Sequence, residues 1–348
     1  MTTPAAPLGP SRFGSHFLGE FRTCPARHYF SHLAPHADSE TSRGLQTFTT
    51  SSPLLVGAAV HEGLAAWYRS RCAHGADSGL PDLDGAIAAA EAHFTLRRAE
   101  FVDDETFVAD LALTTRLLRE YHEYYGPNGL TPEYPDLRVV CDNAGPVIER
   151  ELSLDLGDGH EFTARLDALV TYHGRTYTLE HKTTSAQGLS KLFTSMGMST
   201  QALGQHTILH SLGDPLLRPE GVLVNALVKN RSAKSGRPPF ERQIVTFDTN
   251  MDGWKFRQDA IRTLGQIKAA KAEYTMLVDG ADDPYDAARW VYEQRGRSTG
   301  ACFSFSRCPY LDLCRSPGRE LTLTRSFKPR PAEVAPVDPH QPEENDLA

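Results

Sequence analysis

Apolar positions change their period part-way along this chain. After Pro53 they recur at helical spacing, with Val60, Leu64 and Trp67 at i, i+4 and i+7. The same spacing predicts helices over residues 84–99 and 105–125, and Gly126-Pro127 ends the second. From residue 147 the period falls to two. Residues 147–156, 161–172 and 175–182 read as strands, separated by Gly-Asp-Gly and His-Gly turns. Phe162, Ala164, Leu166, Ala168 and Val170 occupy one face of the second strand, as in a half-buried sheet. A helix is predicted over 200–211, strands over 221–228 and 240–247, and a long helix over 252–277. A short helical piece around 17–29 opens the chain, and no internal repeat is apparent.

Five segments follow from this pattern: an N-terminal stretch 1–52 carrying Cys24, an inserted helical subdomain 53–130, an α/β core 131–280, a three-cysteine region 281–330 and a tail 331–348. The tail holds five acids, no Lys or Arg and several prolines, so it is expected to be disordered. It accounts for much of the net charge of −8. Within the body, Lys229, Arg231, Lys234, Arg237 and Arg242 form a basic stripe against the single acid Glu241, a candidate phosphate contact. The rival reading is a solvated hairpin.

No apolar run approaches the roughly 20 residues that cross a bilayer, and the first twenty residues lack an apolar signal core. The expectation is a cytoplasmic protein without a membrane segment. A reducing compartment argues against disulfides, so the six cysteines need another explanation. The absence of a G-x-x-x-x-G-K-[ST] loop argues against a built-in ATP motor.

The candidate chemistry lies on two adjacent predicted strands. Asp167 sits on one, and Glu180-His181-Lys182 on the next. Alternation puts Glu180 and Lys182 on one face and His181 on the other. Paired carboxylates are hard ligands suited to Mg²⁺ or Mn²⁺, and a lysine beside the cation can orient a water. An acid and a lysine two apart are also common as a plain surface pair.

This arrangement resembles the PD-(D/E)XK nuclease superfamily, in which an Asp precedes a Glu-x-Lys triplet. The resemblance implies an α/β, restriction-endonuclease-like fold with a mixed central sheet flanked by helices. It implies Asp167 and Glu180 as metal ligands, the His181 carbonyl as another, and Lys182 acting on the attacking water. Gly57-Ala-Ala-Val-His61 resembles the G-x-x-x-H motif of RecB-type nuclease domains, which makes His61 a further ligand. Gln201-Ala-Leu-Gly-Gln205 resembles Q-x-x-x-Y: Gln201 matches, while Gln205 stands where the tyrosine would be.

Cys24 and the run Cys302-x5-Cys308-x5-Cys314 are similar to the cysteines of the iron–sulfur group of these nucleases, which includes the CRISPR-associated exonucleases, the AddB nuclease domain and phage relatives. There, four thiolates hold a [4Fe–4S] cluster that pins the chain ends together. The spacing departs from the commoner C-x2-C, and zinc is the alternative ion. Cys72 and Cys141 fit no motif and are expected to be core thiols.

Together these imply a Mg²⁺- or Mn²⁺-dependent deoxyribonuclease that hydrolyses phosphodiester bonds at DNA ends, single-stranded ends preferred, leaving 5′-phosphates. Partners in recombination, replication or CRISPR adaptation fit that role. The alternatives are a non-catalytic DNA-binding or adaptor protein on the same fold, and a zinc-stapled nuclease acting on RNA.

Overall fold

The computed structural model describes residues 13–34, 44–70, 81–132, 136–231, 238–280, 287–295, 299–303, 307–315 and 326–329. Cys72, Lys234, Arg237 and the acidic tail lie outside the described residues. The chain divides into two compact units, Met1–Thr23 with Thr49–Met276, and Cys24–Phe48 with Leu277–Ala348.

The first unit is built on a mixed six-stranded sheet of β1 (Leu137–Val139), β2 (Ile148–Gly157), β3 (His160–Tyr172), β4 (Arg175–Thr184), β5 (Gly221–Val228) and β6 (Phe240–Thr246). The order is β1-β3-β4-β5-β6, and β2 pairs with β3 along the rest of the edge that β1 covers. All pairs are antiparallel except β4–β5. Every residue of β5 is buried, as its near-continuous apolar run requires of a central strand covered on both faces. The β3–β4 hairpin closes with Tyr172 opposite Arg175. His173 and Gly174 both take positive φ there, the conformation that two-residue turns between twisted strands favour.

Helices cover both faces. On one, α3 (Ser52–Arg69), α4 (Leu83–Leu96) and α5 (Asp104–Tyr125) pack on one another and share a core with Leu223, Leu227, Val170 and Leu179 of the sheet. Val60, Leu64 and Trp67 lie within it, as their spacing predicts, and complete burial of such a side chain contributes about 1.5–3 kcal/mol. On the other face, Ala202 of α7 (Thr200–Ser211) joins Val222 and Val224, while α6 (Leu189–Met196) sets Leu189 against Ala226 and Val228. α1 (Ser15–Thr23) lies against α7, and α8 (Met251–Val278) places Phe256 on Phe162.

The helical piece expected over 17–29 is instead two helices, α1 and α2 (Pro25–His32). Proline disfavours helical backbone in the residue before it, and Cys24 is extended at φ −161°. The second unit gathers around α2. Tyr29 meets Tyr292 at 5.1 Å, Phe30 stacks on Tyr310 at 5.7 Å, and Tyr310 donates to the Leu45 carbonyl at 2.8 Å. Leu45–Thr47 pairs antiparallel with Phe327–Pro329. Among the described residues, no helix is long and apolar enough to cross a membrane.

Candidate active site

The site forms where β3 and β4 part. Their ladder ends at Ala168 opposite Leu179. One step beyond, the His181 N–H donates to Asp167 Oδ2 at 2.7 Å, so a side chain takes the place of the strand partner. Asp167 is thereby fixed in a nearly buried position, and His61 Nδ1 of α3 approaches its other oxygen at 3.2 Å. Burial opposes a charged imidazole at His61, but the Asp167 carboxylate outweighs it and holds the group up to about 9. Burial likewise opposes the Asp167 charge, yet His61, His181 and Lys182 keep that carboxyl well below the usual range. The stabilisation from the raised His61 is complete below about 6.5 and is lost as pH rises through about 9.

Glu180 and Lys182 share the α7 face of β4. Lys182 Nζ lies 2.5 Å from Glu180 Oε1 and donates to Gln201 Oε1 at 3.2 Å. Gln201 Nε2 donates to Glu180 Oε1 at 2.8 Å, and Gln205 Nε2 reaches Glu180 Oε2 at 3.3 Å and the Arg165 carbonyl at 2.9 Å. Gln205 is fully buried, so at the tyrosine position of the motif this chain places an amide that holds Glu180. Burial, then the nearby Asp167 charge, pushes the Glu180 carboxyl up. Burial works against the Lys182 charge, but Glu180 and Asp167 raise it.

His181 points to the opposite face and enters a chain of polar groups that runs across three strands. The registers put His181, Asn225 and Arg242 in one row. Asn225 Nδ2 meets His181 Nδ1 at 2.8 Å, Arg242 Nε donates to Asn225 Oδ1 at 3.0 Å, and Arg242 Nη2 donates to the Tyr121 hydroxyl at 2.7 Å. Tyr68 stacks on His181 at 5.5 Å, and burial holds that imidazole down to about 3. Of the basic stripe, Arg242 bonds through its guanidinium to buried groups behind the site and lies 3.8 Å over the Tyr125 ring. Arg231 pairs with Glu241 at 2.5 Å, and Lys229 is half-buried. Asn225 was the missed signal, one amide inside an otherwise apolar β5. Asn225→Leu should strip partners from both His181 and Arg242 and cost about 2–3 kcal/mol, a loss that urea unfolding at constant slope would reveal. A wild-type midpoint would show that the row contributes no stability.

One further residue joins the site without a sequence signal. Among the described residues, His61, Glu149 and Asp167 form the group whose ligand atoms all lie within 4.8 Å of one another. Glu149, on β2, has φ +48°, a left-handed conformation that costs a non-glycine residue on the order of 1–3 kcal/mol. Burial, then the Asp167 charge, pushes its carboxyl up to about 8.

A family model described as the PD-(D/E)XK nuclease superfamily matches residues 17–315. The chain belongs to that superfamily. Its mixed sheet flanked by helices is consistent with a restriction-endonuclease-like fold, and membership makes nuclease chemistry the expected activity. Among solved structures, the crystal structure of SSO0001 matches at 12% identity with a TM-score of 0.24, covering 71% of this chain and 84% of that one. No curated protein matches. The donor set of this PD-(D/E)XK protein, one imidazole and neighbouring carboxylates, suits a divalent cation.

In the second unit of the PD-(D/E)XK chain, Cys24, Cys302, Cys308 and Cys314 line one cavity of about 240 Å³ with Arg27, Tyr310 and Leu311. Cys24 caps α2. The Cys308 N–H closes a loop onto the Cys302 carbonyl at 2.8 Å, and Cys314 lies on the short helix α9 (Leu311–Arg315). Burial pushes the Cys308 thiol up. Cys141 corrects two expectations, that of a core thiol and that of a chain without disulfides: it is exposed, on a two-residue strand, and disulfide-bonded.

Proposed function

We propose that this chain is a Mg²⁺- or Mn²⁺-dependent deoxyribonuclease that hydrolyses phosphodiester bonds at DNA ends, preferring single strands. The observation that carries this reading is the convergence of His61, Asp167, Glu180 and Lys182 at the parting of β3 and β4. A bound cation supplies Lewis-acid polarisation of the phosphate and a more acidic water. His61 and Asp167 would hold it, with Glu180 and the His181 carbonyl as the further ligands the resemblance implies. Against the cost of burial, His61, His181 and Lys182 keep Asp167 ionised, and the His181 N–H orients it. Lys182 stays charged and can donate to an attacking water or to a phosphate oxygen. Gln201 and Gln205 hold Glu180 in register with Lys182.

The four cysteines are read as ligands of a [4Fe–4S] cluster. A tetrahedral zinc site with Zn–S bonds of about 2.3 Å would bring its sulfurs to about 3.8 Å of each other. The cavity of about 240 Å³ that the four cysteines line has room for a body larger than a single ion.

Incubation of anaerobically purified protein with 5′- and 3′-labelled single- and double-stranded DNA and Mn²⁺ tests the activity. Metal-dependent shortening from single-stranded ends is expected. Binding without cleavage would favour an adaptor on the same fold, and cleavage confined to RNA would overturn the substrate. Visible sulfur-to-iron absorbance is expected, and a colourless protein carrying zinc would overturn the cluster.

A further inference from the structure

Glu149 belongs to none of the motifs that mark this site. The β2–β3 ladder runs Ile148 to Ala168 and then Arg150 to Leu166, so Glu149 stands across from Asp167 where the pairing skips a residue. Its left-handed backbone sits at that point of the ladder, inside the continuous strand β2. The carboxylate it presents shares with His61 and Asp167 a separation within 4.8 Å for all three ligand atoms. Glu180 is outside that group, with one oxygen on Lys182 and Gln201 and the other on Gln205.

We propose that Glu149 is a direct ligand of the catalytic divalent cation, completing with His61 and Asp167 a three-donor position. This rests on reading the site as a metal centre. Two carboxylate oxygens and one imidazole nitrogen favour Mn²⁺ over Mg²⁺, because Mg²⁺ prefers an all-oxygen shell. The competing role is structural: Arg165 Nη1 lies 3.8 Å from Glu149 Oε2, and Glu149 could serve only that ion pair.

The test is Mn²⁺ binding to the full chain without DNA, followed by the paramagnetic resonance of the free ion. Glu149→Gln should weaken Mn²⁺ binding by about tenfold or more, at least the effect of losing a partner that only orients a ligand. Glu149→Gly should weaken it similarly while raising the melting temperature, since glycine accepts the positive φ. Wild-type Mn²⁺ affinity in both variants, with Asp167→Asn impaired, would overturn the Glu149 assignment and leave the metal centre standing. Wild-type affinity in all three would overturn the metal centre itself. Weakened binding that tracks a lower melting temperature and is reproduced by Arg165→Ala would assign Glu149 to the ion pair and overturn the proposal.

Discussion

Asp167→Asn should lower the rate of DNA hydrolysis by about 10³-fold or more, equivalent to roughly 4 kcal/mol of lost transition-state stabilisation. Asparagine can still accept the His181 N–H, so the hydrogen bond at 2.7 Å survives and the fold should persist. What disappears is the charge that faces His61 and would face a cation. Asp167→Ala is the harsher change, because it also leaves a buried N–H without its acceptor. Lys182→Ala should cost activity on a similar scale for a different reason. It removes the only cation contacting Glu180 among the described residues and leaves that buried carboxylate uncompensated. The two losses should not add, because groups that act together fail together. Single-turnover rates at saturating Mn²⁺, alongside thermal melts, separate chemistry from folding. Activity within tenfold of wild type for Asp167→Asn, with a normal melt, would remove Asp167 from the mechanism.

Cys24→Ser and Cys308→Ser should each bleach the visible absorbance, cut the yield of soluble protein and lower the melting temperature. Cys24 is nearly three hundred residues from Cys314 along the chain, yet both line the same cavity. A cross-link closing so long a loop restricts the unfolded chain by on the order of 5 kcal/mol, by analogy with long disulfide loops. That is comparable to the whole net stability of a typical domain, about 5–15 kcal/mol. The catalytic strands supply no thiolate, so activity should fall through stability. Cys141→Ser and Cys72→Ser provide the contrast and should leave iron content alone. Iron retained in Cys24→Ser but lost in Cys141→Ser would overturn the ligand set.

The sequence by itself determined most of the elements and the family. Period-two alternation marked β2, β3 and β4 within one or two residues of their ends, and helical spacing marked α3 and α5, because burial of one face leaves a periodic trace. The order of Cys24, His61, Asp167, Glu180-x-Lys182 and the three late cysteines led to the family to which the chain belongs. The break at Cys24-Pro25 was readable in principle from proline's effect on its neighbour. Tertiary structure alone decided what depends on partners distant in sequence. Arg242 reads as one more charge in a basic stripe until β5 and β6 pair and set it beside Asn225. Gln205 reads as a lost tyrosine until α7 packs on the sheet and its amide meets Glu180. Glu149 has no local signal at all. Its place beside His61 and Asp167 arises from the β2–β3 pairing, which sets it across from Asp167, and from a single positive φ, and neither is a property of side-chain pattern.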